Sequence, residues 1–209
     1  MDVHAPHEPV HTWRDFFTHL TIVTIGLFIA LSLEAFVEYL HHRHLVREAR
    51  ENIRREIESN HDFAQKDLVL LQQNIDNQKA NIQAIHKLSS HPKDFHGTIR
   101  NSMDFDSLSD AAWRTARDTG ALGYMPYDEV QRYSDLYMLE DLVNTHAISA
   151  AEQDFEAATS FEMGYGAESL PDDEYPRLLR ENASAQIAFT TLKQFVQQFD
   201  DSCVTELKR

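Results

Sequence analysis

An all-α fold carrying one transmembrane helix is what this sequence predicts, on three observations. Phe16 to Leu33, FFTHLTIVTIGLFIALSL, is a run of eighteen residues without a formal charge. It passes into Glu34 and a charged helical pattern with no Gly or Pro to interrupt it. Beyond it, apolar residues recur at spacings of three and four, the period of an amphipathic helix, and no alternating strand pattern or solenoid repeat stands out. The predicted architecture is an N-terminal transmembrane helix continuous with a long amphipathic helix, packed with C-terminal helices in an antiparallel bundle. Its divisions are residues 1–12, a His/Pro-rich tail; 13–40, the span; 41–90, a juxtamembrane collar and the long helix; and 91–209, the rest of the bundle.

Composition agrees with that outline. A chain of 209 residues holds one ordinary domain plus an anchor. Gly and Pro number six each and charged residues make up 25%, a balance suited to helices. The mean hydropathy is that of a soluble protein, but local windows decide membrane insertion, and here one apolar segment sits among polar helices. The net charge of -15 is concentrated from Asp104 to Arg209, where 21 acids face 8 bases. So acidic a domain argues against nucleic acid as a partner, because binding to phosphate backbones comes from clustered Lys and Arg. Cys203 is the only cysteine, so no intrachain disulfide forms and the redox compartment stays open.

Met1 to His11 carries His4, His7 and His11 with two prolines, and the sequence predicts an extended tail. Three imidazoles this close are a weak candidate for wrapping a Zn, Ni or Cu ion, against a plain polar tail. A cleaved signal peptide fits poorly: there is no basic leading region, and the apolar run meets Glu34 rather than a small-residue cleavage site. Trp13, Arg14 and Asp15 stand where an indole and charges lie at headgroup level. Eighteen residues at about 1.5 Å each give roughly 27 Å, near the lower limit for a bilayer core of about 30 Å. Ala35, Phe36 and Val37 extend the apolar length on faces away from Glu34. The alternative, a buried helix of a soluble protein, is seldom apolar all round for so long. Gly26-x-x-x-Ala30, with Thr21 and Thr24 nearby, allows close helix packing in the membrane and points to a homo-oligomer.

The pattern Thr24-Ile25-Gly26-Leu27-Phe28-Ile29-Ala30-Leu31, then Glu34 and an Arg/Glu-rich helix, resembles a group of uncharacterised bacterial single-span proteins with an N-terminal anchor and a helical C-terminal region. The similarity covers about the first sixty residues, and Trp113 to Tyr133 loosely. The group has no assigned activity, so the resemblance implies an architecture and no functional residues; the location expected for the chain is a bacterial inner membrane.

At the foot of the span, Glu34, Glu38, His41, His42 and His44 form a collar. Glu38-x-x-His41 has the spacing that bundle di-metal sites use, and Glu58-x-x-His61 repeats it, but the two lie on one helix about 30 Å apart rather than on facing helices. The bland reading is a hydrated collar touching lipid headgroups. A sharper one is a collar whose charge changes near neutral pH as its histidines titrate. Arg43, Arg47, Arg50 and Arg54 follow the span and Arg14 alone precedes it, which favours a cytoplasmic domain; a periplasmic one is the alternative, since these arginines alternate with Glu48 and Glu51 and also suit helix-face ion pairs.

Val46, Ala49, Ile53 and Ile57 form a stripe expected to shift register near Asn60. From Ala64 the seam continues through Leu68, Leu71, Ile75, Gln78, Ile82 and Ile85, fitting either a coiled coil between protomers or, preferably, one wall of an intramolecular bundle. Ser90-His91-Pro92 stops this helix near Ser89. Ser107 or Ser109 caps a short helix through Arg117, Gly120 and Gly123 make a turn, and Pro126 opens the next helix. That helix reads Val130, Tyr133, Tyr137, Val143, Ala147, Ala151, Phe155 and Ala158, and ends around Gly164 and Gly166. The last opens with Asp172, Asp173 and Glu174, acids that suit the positive end of a helix dipole. Its seam is Asn182, Ala185, Phe189, Leu192, Val196, Phe199 and Cys203.

No Gly-x-Ser-x-Gly elbow or phosphate-cradling loop is present, and Cys203 sits on an apolar seam where a thiol is inert. The expectation is a protein that is not an enzyme and uses no cofactor. Trp113, Tyr124, Tyr127, Tyr133 and Tyr137 are an aromatic cluster; core packing accounts for their helical spacing, and Trp113, Tyr133 and Tyr137 are the residues that would line a ligand cleft. The function expected is a membrane-anchored scaffold or interaction module, with the bilayer, further copies of itself and an unidentified protein as partners. The alternative is a tethered sensor binding a small ligand in the bundle.

Overall fold

The computed structural model describes residues 12–90, 98–101, 103–162 and 170–209, apart from the side chains of residues 160–162. Its elements are α1 (Trp13–Ser90), α2 (Ala111–Asp118), a short 3-10 turn (Ala121–Tyr124), α3 (Tyr127–Glu162) and α4 (Glu174–Leu207), with no strand among the described residues. The expected tail with His4, His7 and His11 lies outside that description, as do Gly164 and Gly166. The chain divides into two compact units, Met1–Arg47 and Glu48–Arg209.

The first unit holds the start of α1. Thr12 caps it: the Asp15 N–H donates to Thr12 Oγ1 at 3.3 Å, and the Thr12 hydroxyl donates to the Asp15 carboxylate at 2.7 Å. None of the side chains from Trp13 to His41 is buried, and this part of the helix is long and apolar enough to cross a membrane. Its hydroxyls are satisfied locally. Thr18, Thr21, Thr24 and Ser32 each donate to the carbonyl four residues back, at 2.7–2.9 Å. A helix with every polar group bonded within itself is the form a lone segment must take in hydrocarbon.

The second unit is a helical bundle, and hydrogen bonds between helices give its directions. Arg50 pairs with Glu129, Glu56 with Tyr137 and Gln78 with Asp154, so α1 and α3 run parallel. Arg54 pairs with Leu207, His61 with Asp200 and Gln72 with Lys193, so α4 runs the other way. The sequence predicts an antiparallel bundle. The parallel pair arises because the chain between α1 and α2 meets α1 at Asn81 through Arg100 and at Asn60 through Ser109, so that α3 starts again from the same end. Gly120 makes the turn between α2 and the 3-10 segment with φ of 75°, where a side chain would be strained. Pro126 accepts from the N–H groups of Glu129 and Val130, standing one residue before α3 rather than inside it.

The seam of α4 is as predicted: Asn182, Ala185, Phe189, Leu192, Val196, Phe199 and Cys203 are all buried. On α1, Val46, Ala49, Ile53, Ile57, Ala64, Leu71, Ile75, Gln78 and Ile85 are buried as expected. The register shift near Asn60 does not occur, because Asn60 itself is fully buried and continues the spacing from Ile57 to Ala64. Leu68 and Ile82 are only half-buried; Asp67 and Asn81, one residue earlier, hold the interior positions. A similar slip occurs on α3. Ala150, Asp154 and Ala157 face inward, while Ala151 and Ala158 are half-buried and Phe155 is 72% exposed. At Asp67, Asn81 and Asp154 the interior place goes to a polar residue that has a partner inside the bundle, and at Ala150 and Ala157 it goes to a neighbouring alanine. Ile85, Leu88, Leu170, Tyr175 and Leu178 close one end, with Ile99 and Leu179 packed against them.

Candidate functional site

In the first unit the collar is a row of exposed or half-exposed side chains. His42 Nε2 lies 3.8 Å from Glu38 Oε1, so Glu38 turns to the residue four places on rather than to His41. His41 leans on the His42 ring at 6.1 Å, and Arg47 contacts His44 Nδ1 at 3.1 Å. Glu34 is exposed. The second Glu-x-x-His pair is also separated: Glu58 takes the Arg54 guanidinium at 3.1 Å, while His61 Nδ1 lies 2.6 Å from Asp200 Oδ1. Among the described residues no three His, Cys, Asp or Glu side chains come together as a metal site. A Cβ added to Gly26 would meet nothing within 4 Å, and Ala30 is exposed, so this face of the span is open.

The polar chemistry of the second unit is gathered along residues 98–110. Asn81 on α1 donates through Nδ2 to the Arg100 carbonyl and accepts the Arg100 N–H through Oδ1, both at 2.9 Å. Asn60, also on α1, treats Ser109 the same way at 2.8 and 3.0 Å. Asn144 on α3 does so for Leu108, at 3.3 Å in each direction. Between them, Asp67 Oδ1 accepts the Asp106 N–H at 3.1 Å. Each amide offers a donor and an acceptor in one plane, the pattern an adjacent strand would present, so the side chains of two helices stand in for a sheet neighbour.

The lengths match. Asn60 and Asn81 are separated by about 31 Å of helix, and Arg100 to Ser109 covers about 31 Å only when nearly fully extended. The bonds of Arg100, Asp106 and Ser109 to Asn81, Asp67 and Asn60 run antiparallel to α1. Met103 and Phe105 are half-buried and Asp104 and Asp106 exposed; the alternation breaks at Ser107, which is exposed, and Leu108 is buried.

At its end the segment enters α2, whose first N–H groups are capped from another helix. Glu56 on α1 accepts from the N–H of Ala112 at 2.8 Å and of Trp113 at 3.2 Å, and from the Ser109 hydroxyl at 3.0 Å. The expected Ser109 cap is also present, its Oγ accepting the Ala111 N–H at 3.4 Å, while Asp110 stands at the cap position without a side-chain cap bond and pairs instead with Arg114 at 2.7 Å. The same carboxylate accepts the Tyr137 hydroxyl at 2.7 Å. Trp113 stacks on Tyr137 with ring centroids 5.2 Å apart and planes 9° from parallel, and meets Tyr133 edge-on at 6.4 Å. Tyr133 and Tyr137 are buried, and the three predicted cleft residues are packed on one another. Burial pushes the Tyr133 phenol up to about 12, with the Glu129 charge adding to it. Tyr137 is raised further, by burial and by its bond to Glu56. Both phenols therefore stay protonated donors.

Three interior carboxyls are raised chiefly by burial: Asp67 and Asp154 to about 6, and Glu140 to about 7, where the charges of Asp110 and Glu56 add to the effect. Gln78 donates to Asp154 at 2.6 Å, and Asn144 to Glu140 at 2.6 Å. Asp200 is held by His61 and by the Gln65 amide. Cys203 is fully buried and burial pushes its thiol up to about 12, so it is no nucleophile at neutral pH.

Two open clefts lie elsewhere. One of about 540 Å³ between α3 and α4 is lined by residues including Arg132, Asp135, Gln198, Ser202 and Glu206. The other, of about 550 Å³, includes Gln72, Lys79, Gln186, Thr190 and Lys193. The aromatic trio lines neither.

The residues that clamp the 98–110 segment are the ones the sequence reading missed. The signal is present: Asn60, Asp67, Asn74 and Asn81 recur every seven residues along the buried face of α1. Comparison with known proteins adds no relative, since no family model, curated protein or solved structure matches the chain.

Proposed function

We propose that this protein is a non-catalytic scaffold or interaction module, held at a bacterial inner membrane by a single N-terminal span that continues into its helical bundle. The observation that carries the reading is the contrast within α1. Its Phe16–Leu33 stretch leaves every side chain uncovered and all its hydroxyls bonded to its own backbone, whereas its later turns are buried. Apolar surface of that extent is stable only in lipid or against protein. The resemblance of Thr24 to Glu34 to bacterial single-span proteins agrees with it.

The bundle is proposed to be cytoplasmic, on the excess of Arg43, Arg47, Arg50 and Arg54 over Arg14 beside the span. A C-terminal reporter active only in the periplasm should stay dark; activity would reverse the orientation. The protein is proposed to be a homo-oligomer through the open Gly26–Ala30 face, with a further protein as partner. Cross-linking in membranes followed by purification in mild detergent tests both, and a monomer with no co-purifying protein would remove the scaffold reading.

A tethered sensor is the second reading. What favours it is the cleft between α3 and α4, where Arg132, Gln198 and Ser202 offer polar groups to a small ligand. Ligand-dependent protection of α4 amides from exchange would support it over the scaffold.

A further inference from the structure

The second unit has two unlike ends, and the end at which the chain enters it carries what a bilayer surface takes. The unit begins at Glu48. Two residues on, the Arg50 guanidinium holds the Glu129 carboxylate at 2.6 and 2.7 Å, which sets the start of α3 beside the start of the unit. Arg54 donates to the Leu207 carbonyl at 3.2 Å and sets the end of α4 there too. The turn before α3 therefore closes this end. Buried Ala121 and Met125 root it, and its backbone bonds to itself: the Gly123 N–H donates to the Gly120 carbonyl at 3.1 Å and the Met125 N–H to that of Leu122 at 3.2 Å. From those roots the rings of Tyr124 and Tyr127 stand out, 53% and 82% exposed. The other described tyrosines of the unit, Tyr133, Tyr137 and Tyr175, are all buried. A turn whose amides bond internally sits against headgroups without an orphaned donor, and tyrosine, apolar in body and polar at the tip, is enriched in that layer.

Charge is divided in the same way. The stretches gathered at this end, residues 48–57, 110–132 and 204–209, hold eight bases and eight acids, whereas the rest of the unit holds eight bases and twenty-one acids. An anionic leaflet repels the acidic remainder and not this end. Glu48 follows Leu40, the end of the predicted span, by eight residues of helix, a rise of about 12 Å. An ordinary span tilt of about 20° narrows that gap on one side of the bundle. We propose that the turn bearing Tyr124 and Tyr127 is a second membrane contact, its two rings lying in the headgroup layer of an anionic bilayer and holding the bundle against the surface. The inference rests on the anchored reading of the Phe16–Leu33 stretch and adds to it the part of the bundle that meets lipid.

A fluorophore on the turn tests it in the full chain, reconstituted in phosphatidylcholine–phosphatidylglycerol nanodiscs with a nitroxide on the lipid headgroup as quencher. Cys203 is fully buried, so a thiol-directed NBD label goes to a cysteine introduced at an exposed position. At Tyr127→Cys the label should lose most of its emission when the nitroxide lipid is present. At Ile187→Cys, exposed and about 30 Å along α4 from Leu207, it should lose little. Tyr124→Asp added to the Tyr127→Cys chain should restore emission, because it breaks the contact and leaves the tether in place. All of these side chains are exposed, so the fold does not depend on them. An unquenched label at Tyr127→Cys, equal losses at Tyr127→Cys and Ile187→Cys, or a loss that Tyr124→Asp leaves unchanged overturns the proposal. Trp13→Cys reports the anchor separately. Quenching there with none at Tyr127→Cys removes the contact and keeps the span, and no quenching at either position removes both.

Discussion

Gln78 on α1 donates to the Asp154 carboxylate on α3 at 2.6 Å, with both side chains buried. This bond explains why Asp154, and not Phe155, faces inward: the carboxylate has a donor waiting in the opposing helix. Gln78→Leu should therefore destabilise the bundle by about 2 kcal/mol, because it leaves a buried carboxylate without that donor. The double variant Gln78→Leu with Asp154→Leu should recover most of the loss. Urea unfolding of the four-member cycle measures the coupling, and strictly additive effects would show that the two side chains do not depend on each other.

Stability should fall as the solution becomes more basic. Asp67, Asp154 and Glu140 titrate at about 6, 6 and 7 in the fold because burial disfavours their charged forms. The folded state thus binds these protons more tightly than the unfolded chain does. Their contribution is complete below the ordinary carboxyl range near 4 and is lost as pH rises through the folded values to about 7. The urea midpoint should be higher at pH 5 than at pH 8, and Asp67→Asn together with Glu140→Gln should flatten the slope. A midpoint that rises with pH in the natural chain would contradict this assignment.

Glu56 holds α2 and Tyr137 at once, so its loss should be felt optically. Glu56→Ala frees the N–H groups of Ala112 and Trp113 and the Tyr137 hydroxyl, a cap loss of about 1–2 kcal/mol. In a Trp13→Phe background, Trp113 emission should shift to longer wavelength as its stack on Tyr137 loosens. Unchanged emission would mean that the stack stands without the cap.

The open face of the span gives a separable test of self-association. Gly26 has space around it in one copy, so Gly26→Ile should leave the unfolding of the bundle unchanged. Under the proposed homo-oligomer through this face, it should reduce cross-linking in membranes, because a branched side chain blocks close helix approach. Undiminished cross-linking would move the contact to another face.

Much of this fold was legible in the sequence, and the places where it was not share one cause. The α4 seam from Asn182 to Cys203 could be read directly because its partners are other apolar side chains, so hydrophobic periodicity alone marks it. Along α1 and α3 the same method chose Leu68 over Asp67, Ile82 over Asn81 and Phe155 over Asp154. Each true interior residue is polar, and its burial is tolerated because of a hydrogen-bond partner far along the chain, such as the Asp106 N–H for Asp67 or Gln78 for Asp154. The aromatic trio was found but not its arrangement, since Glu56 and the end of α2 meet across 56 residues.

The pairing of α1 with α4 joins residues 121 to 153 positions apart. A ribosome making about 5–20 residues per second therefore needs on the order of ten seconds between the two helices. Through that interval the bundle face of α1 waits in water for its partner. A face built only of Leu and Ile would be a sticky surface on every nascent chain. Asn60, Asp67, Asn74, Gln78 and Asn81 keep it wettable until α4 arrives.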